Sequence, residues 1–402
     1  MTREDRRLAD LTQLLRERVG AAPGSVRCVR SPLRICPLGA HIDHQLGNVT
    51  GLTLNEALLL AYVPRADGVV RLWSLDFEGL VEFELKELSG PRPGDWGNYP
   101  RGAATILREE YQITRGFDGI LSGPLPVGGL SSSAAVDVAY LLAFQDVNEL
   151  EVDRRQNIRL AQRIENDYIG LNNGVLDQSI ILESRSGALT HLDCLTMEFQ
   201  HIPAPPGLRF DLVVAYSGVS HGLVGTGYNQ RVAECAEAAR RLLELAGEPP
   251  REQPRLRHVP VAALREHVDR LPEPLARRAR HFAGEMMRVS EGLEAWRRGD
   301  LHGLGRLMTA SGRSSIELYE CGSSHLISLY EILTETPGVF GARFSGAGFR
   351  GSCVALADPD RREPIAASLA TRYVERHPDM TESYSLHFCQ PSGRAELVAC
   401  RL

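Results

Sequence analysis

Lysine is almost absent from this chain of 402 residues: Lys86 is the only one, and the other basic side chains are arginines. Chemistry that needs a lysine elsewhere is thereby excluded. A Walker A loop, which ends in Gly-Lys-Ser/Thr, is ruled out, and so is protein-kinase transfer with its strand lysine. An excess of positive charge is also missing. The net charge of −6 argues against a broad nucleic-acid face and predicts no nucleic-acid partner. No apolar run approaches the ~18–20 residues that a membrane span needs, so no membrane partner is expected. The opening "MTREDRRLADLTQLLRERVG" is charged from its third residue. Leu8, Leu11, Leu15 and Val19 fall on one helical face, which predicts a docked amphipathic helix and not a signal peptide. The eight cysteines form no CxxC pair and none stands beside histidines at zinc spacing. They are expected to be reduced thiols, buried as small apolar side chains, in a cytoplasmic protein.

What is present is the composition of an ordinary globular protein, 43% hydrophobic and 24% charged, in a chain long enough for two domains. "GSVRCVRSPLRI" and "GLTLNEALLLAYVPRADGVVRLWSL" read as strands, and "VEFELKEL" alternates as a half-buried strand does. "DWGNYPRGAATILREEY" predicts a helix from about Tyr99, with Pro100 tolerated in its first turn. A strand "GFDGILSG", a glycine turn and the helix "SSSAAVDVAYLLAFQDVNEL" follow. The proline cluster "IPAPPGLRF" at 202–210 is the best domain boundary, since helices and strands do not run through it. Beyond it lie a buried strand, long helical patterns across 228–333, a strand–glycine loop–strand unit and two short closing strands. The fold class is therefore α+β, with mainly antiparallel strands in both halves and no internal repeat.

The strongest chemical signal is "PLPVGGLSSSAAV", residues 124–136. Gly128 and Gly129 lack Cβ atoms and let backbone approach a ligand. Ser131, Ser132 and Ser133 then open a helix, whose free N–H groups and dipole favour an anion. Serine hydroxyls there can donate to phosphate oxygens or bind Mg²⁺. A plain serine-capped helix after a glycine turn fits the loop equally well when it is taken alone. "ARFSGAGFRGS", residues 342–352, is a second glycine-dense loop, denser than a hairpin requires. "IENDYIGLNNGVLDQS" supplies Glu165 and Asp177, the latter a helix cap on its own merits.

Together with "RICPLGAHIDHQLGN" at 34–48, these pieces in this order resemble the GHMP kinases, the superfamily that includes galactokinase, homoserine kinase, mevalonate kinase and phosphomevalonate kinase. Further matches to its galactokinase branch are "DWGNYPRG", "GVLDQ", "SGVSHGLVGTGYNQRVAEC" and "GVFGARFSGAGF". The resemblance implies a two-domain GHMP kinase fold. Residues 1–205 would form a ribosomal protein S5 domain 2-like unit and 206–402 a ferredoxin-like unit, with ATP and substrate meeting between them. It makes Asp177 the catalytic aspartate and Arg34 its partner. Ser133 and Glu165 match Mg²⁺-holding positions. His41, Asp43, His44, Tyr228 and Gly346 fall on the sugar side. Trp96, Tyr99, Pro126, Gly128, Gly129, Leu130, Ser131, Ser132, Ser133 and Ala134 fall on the ATP side.

One position departs from the galactokinase pattern. Ala40 stands where galactokinases carry a glutamate facing the sugar C6 hydroxyl, and His44 replaces an aromatic. A carboxylate there would repel a sugar acid by roughly 1 kcal/mol in water at 4 Å and about 4 at an effective dielectric of 20. Its removal admits a C6 carboxylate. "PLGAHIDH", "GARFSGAGFRG" and "LYECG" resemble the galacturonate-phosphorylating members, so the expected partners are a small sugar acid and ATP. Arg350 is the first choice for pairing that carboxylate, with Arg101 and His44 as alternatives. A galactokinase or glucuronate kinase of this fold, and a catalytically silent sugar sensor, are the rival readings. A monomer or small homo-oligomer is expected.

Overall fold

The computed structural model of the protein describes residues 2–123, 125, 130–219, 227–349 and 351–400. Helix α1, Arg3–Val19, starts from a capping box between Thr2 and Asp5 and stops at Gly20, which takes the left-handed conformation. Its Leu11 and Leu15 are buried, as the heptad-like spacing predicts. Strands β1 (Arg27–Ile35), β2 (Asn48–Pro64), β3 (Val69–Ser74) and β4 (Val81–Glu84) follow. Helix α2, Asn98–Glu110, carries Pro100 in its first turn, where its missing N–H costs nothing. After β5 (Phe117–Ser122) come α3 (Ser132–Val147), α4 (Arg154–Arg163) and α5 (Leu176–Glu183). A π-type turn, Ile164–Ile169, extends α4 and ends at Gly170 in the left-handed region. Strands β6 (Ala188–Asp193) and β7 (Glu198–Pro203) complete this part.

With the closing strand β12 (Glu396–Val398) at one edge, the described strands order β12-β1-β2-β5-β3-β4 in one sheet, with β6 and β7 added along the start of β2. All pairings in it are antiparallel except β3 with β5. Strand β7 ends at Pro203, and β8 (Asp211–Tyr216) already belongs to the second sheet. The proline-rich stretch 204–210 thus joins two sheets.

The second half contains α6 (Tyr228–Leu245), α7 (Val261–His267), α8 (Glu273–Arg297), α9 (Leu301–Glu317) and α10 (Ser324–Glu335). Strands β9 (Val339–Phe344) and β10 (Ser352–Ala357), helix α11 (Arg362–Arg376) and strands β11 (Ser385–Cys389) and β12 (Glu396–Val398) close it. The second sheet runs β11-β8-β10-β9, antiparallel throughout. The two large apolar cores each cross between the sheets: one joins Leu212, Val214 and Leu356 of β8 and β10 to the first sheet, the other joins Val49 of β2 and Leu192 of β6 to the second. The two halves are tied where Trp296 of α8 donates its indole N–H to the Ile202 carbonyl at 2.9 Å.

The expectation of eight reduced thiols needs correction. Strand β12 returns to the first sheet beside β1, with Cys28 opposite Val398. Cys400, two residues on, then reaches Cys28 and forms a disulfide, with Cα atoms 6.2 Å apart. A contact between residues 372 apart in sequence has no local signature. The remaining six cysteines are buried and free. Among the described residues no helix is long and apolar enough to cross a membrane.

Candidate active site

Asp177 occupies the first turn of α5 and Arg34 the buried end of β1. The Arg34 guanidinium, 2% exposed, donates through both Nε (2.9 Å) and Nη2 to one carboxylate oxygen of Asp177. Ser131 donates its hydroxyl to the other oxygen. The two carboxylate oxygens are therefore oriented by separate partners from β1 and from the start of α3. Nη1 of Arg34 is buried without a protein partner. Ser131 takes a positive φ of 57° to cap α3, and the Leu130 carbonyl accepts the Arg34 amide at 3.3 Å. The serine loop is thus fastened directly to the strand that carries the arginine. Ser131, expected on the ATP side, thus places its hydroxyl on Asp177, a contact that the run of three serines does not reveal.

Ser132 and Ser133 lie in the first turn of α3 and Ala134 is buried behind them. Ser133 donates a hydrogen bond to Glu165, which also accepts from the Asn173 side chain. Burial pushes Glu165 up to about 7 against those hydrogen bonds. Its Oε1 is buried without a partner. A hydroxyl and a buried carboxylate with a free oxygen, beside a helix N-terminus, form a donor set that fits Mg²⁺. Tyr99 of α2 is half-buried and near enough to Glu165 and Asp137 to feel their charge, although burial is the main cause raising its phenol. Trp96 donates its indole N–H to the Glu78 carbonyl at 3.2 Å, and its ring lies 6.4 Å from that of Phe77, inclined by 19°. Pro126, Gly128 and Gly129 of the phosphate loop, and Arg350, lie outside the described residues.

Asp43 accepts the Leu176 amide at 3.2 Å, next to Asp177 in sequence, and a Cβ at Gly174 would collide with its carboxylate. Burial first, and the charge of Asp177 second, raise Asp43 to about 6. His41, with φ of 58°, stacks on Tyr319 at 4.3 Å and 8°. His44 faces the same Tyr319 through its hydroxyl at 3.2 Å, and its other ring nitrogen meets Gln45 at 3.0 Å. Both ring nitrogens of His44 are therefore engaged by protein, and burial lowers the group to about 3, which keeps the ring uncharged at neutral pH. Tyr228 is buried at the start of α6, edge-on to His44 at 6.3 Å. Gly346 adopts a φ of 68° in the β9–β10 loop, and a Cβ on Gly348 there would stand 2.8 Å from the Cys321 sulfur. Arg101 does not belong to this group: it is buried against Asp95 at 2.5 Å and Asn98 at 3.2 Å. It already has its carboxylate.

The backbone of Ala40 is held from the second half of the chain. Glu285 of α8 accepts the Gly39 and Ala40 amides at 2.8 and 3.1 Å, and His281, one turn earlier, contacts the Ala40 carbonyl at 3.0 Å. Burial alone would raise Glu285, but His281, Arg288, Arg343 and the Gly39 amide outweigh it and hold it below the usual range. Gly39 is obligatory, since at φ 94° a Cβ would lie 2.6 Å from the Val49 Cα. With its amide and carbonyl engaged, Ala40 offers only a methyl group. His281 and Glu285 escaped the sequence reading, while Tyr319 and Cys321 entered it only within "LYECG", with no role assigned. Polar residues four apart in "RHFAGEMM" were the one local sign of a helix face turned to a buried partner.

The GHMP kinases N terminal domain matches residues 98–185 and the GHMP kinases C terminal domain residues 292–375. The chain is 44% identical over 400 residues to the galacturonokinase of Arabidopsis thaliana, covering 94% of each. It is 34% identical to a galactokinase of Chloroflexus aggregans, over 87% of this chain and 88% of that one. Among solved structures, Lactococcus lactis galactokinase complexed with galactose superposes with a TM-score of 0.88 at 30% identity. That likeness covers 97% of this chain and 99% of the other.

Proposed function

The chain belongs to the GHMP kinases, and on that premise we propose that it is an ATP-dependent sugar-1-kinase converting D-galacturonate to α-D-galacturonate 1-phosphate and ADP. The observation that carries the choice of substrate is Ala40. Its backbone is held by Glu285 and His281 and its side chain is a methyl group, so the loop itself presents no carboxylate at this position. A site without that acid spares a uronate roughly 1 to 4 kcal/mol of repulsion at 4 Å, across effective dielectrics of 80 to 20. The 44% identity to a galacturonokinase supports the same reading.

In the proposed reaction the anomeric oxygen of the sugar attacks the γ-phosphorus, the bond to the β,γ-bridging oxygen breaks, and ADP leaves. The hydroxyl proton passes to Asp177, whose oxygens are oriented by Arg34 and Ser131 so that little reorganisation is needed. The Arg34 guanidinium, with one nitrogen still free, supplies a fixed positive charge beside the developing alkoxide. Ser132, Ser133 and the amides opening α3 are the donors proposed for the phosphates. Ser133 and Glu165 would hold Mg²⁺, which when bound neutralises charge on the transferring phosphoryl oxygens. Asp43, positioned by the Leu176 amide, and His41, fixed on Tyr319, are the proposed sugar hydrogen-bonding groups.

The test is ADP release with galacturonate, glucuronate and galactose on one preparation. Galacturonate is expected to turn over fastest; faster turnover of galactose would overturn the uronate assignment.

A further inference from the structure

Away from the cleft, His325, His377 and Asp379 bring two imidazoles and a carboxylate together, with one ligand atom from each within 4.8 Å of the others. The three come from separate pieces of backbone. His325 lies in the first turn of α10, behind the N-cap Ser323, whose hydroxyl accepts the Leu326 amide at 3.3 Å. His377 is the residue that ends α11. Its carbonyl accepts the Met380 amide at 3.0 Å, and this tight turn swings Asp379 back beside the two rings.

We propose that these side chains form a transition-metal site, selective for Zn²⁺ and related first-row ions over Mg²⁺, that fastens α10 to α11. The rings of His325 and His377 stand 4.3 Å apart, inclined by 32°, close enough to share one ion. The His377 ring is locked by a contact of 2.9 Å between its Nε2 and the Ser328 hydroxyl, one turn further along α10. That leaves Nδ1 for a metal, the arrangement in which an outer partner orients a ligating imidazole. Among the described residues no hydrogen bond or ion pair joins Asp379 to either ring, so its carboxylate is near but uncommitted. Two imidazoles and one carboxylate, with solvent completing the shell, suit zinc. Magnesium demands oxygen ligands and keeps its waters, so it would pass this site over.

The site would act on stability, because both helices are anchored to the second sheet close by. Leu326, adjacent to His325, gives its carbonyl to the Cys353 thiol of β10 at 3.2 Å. Tyr373, one turn before His377, donates its hydroxyl to the Ser217 carbonyl just past β8 at 2.7 Å. A metal joining the two helix ends would therefore resist separation of α10 and α11 from the strands beneath them.

The experiment uses the full chain, stripped with a chelator and then titrated without nucleotide. Zn²⁺ should bind at one ion per chain and raise the melting temperature, while MgCl₂ at the same concentrations leaves it unchanged. Co²⁺ should give the visible absorption of a nitrogen- and oxygen-ligated site without a thiolate charge-transfer band. His325→Ala and His377→Ala should abolish the stoichiometric ion, and Ser328→Ala should weaken it by about 10–100-fold. Asp379→Asn, at an exposed position that does not endanger folding, should weaken zinc while leaving Mg-ATP-supported turnover unchanged. No binding by the parent protein, binding that survives Asp379→Asn and both histidine variants, or a thiolate band with Co²⁺ would each overturn the proposal.

Discussion

Replacing Ala40 by glutamate puts the proposed basis of substrate choice to a quantitative test. The residue is 3% exposed, and its amide and carbonyl are held by Glu285 and His281. The substitution therefore changes what the loop presents more than where the loop lies. A carboxylate about 4 Å from a bound uronate costs between roughly 1 kcal/mol at bulk dielectric and about 4 at an effective value of 20. With 1.36 kcal/mol per decade, galacturonate kcat/KM should fall between about 5-fold and roughly 10³-fold. Galactose gains one hydrogen bond to its C6 hydroxyl, about 0.5–1.5 kcal/mol, or up to roughly tenfold. The assay is steady-state ADP release with both sugars at saturating Mg-ATP. Ala40→Gln, of similar bulk and uncharged, is the control. The difference between the two variants isolates charge, and melting curves confirm that both are folded. Burial and the neighbouring anionic Glu285 would both make the new carboxylate hold its proton to higher pH than a free one, so the discrimination should grow from pH 6 to 8. Glutamate and glutamine variants with the same sugar ratio, or a ratio within about twofold of the parent, would show that a missing charge at Ala40 does not set specificity.

Asp177→Asn keeps the shape of the side chain but cannot take a proton, so turnover should fall by about 10²–10⁴-fold while nucleotide binding, read by equilibrium dialysis, persists; activity near the parent level would remove Asp177 from its role. Glu165 has a folded value near 7, above the ordinary 4.5, so between those values the folded chain holds the extra proton and stability falls as pH rises. Without nucleotide, Glu165→Gln should flatten that decline in melting temperature between pH 5 and 8, and an unchanged slope would refute the assignment. The same ionisation predicts that less Mg²⁺ is needed for half-maximal turnover of the parent enzyme at pH 8 than at pH 6. Gly348→Ala sets a Cβ at a φ of 75° and 2.8 Å from the Cys321 sulfur, so urea unfolding should register a loss of about 1–2 kcal/mol; an unperturbed midpoint would mean the loop relaxes freely.

The sequence by itself determined the elements whose causes are local. The leucine spacing of α1, Pro100 in the first turn of α2, the serine run opening α3 and the strand–glycine loop–strand of β9 and β10 all follow from periodicity and backbone preference within a few residues. The family resemblance extended that reach, pairing Arg34 with Asp177 across 143 positions. Tertiary structure alone decided the contacts that join the halves. Ser131 turns its hydroxyl onto Asp177 because a left-handed cap aims it there. Tyr319 stacks on His41 from 278 residues away. Strand β12 returns to β1 and brings Cys400 to Cys28. Ala40 shows the division within one residue. Its identity, and hence the missing carboxylate, is written in the sequence. That its backbone is clamped by His281 and Glu285 depends on how α8 docks against the first half, and no short-range pattern encodes the meeting of two surfaces so far apart along the chain.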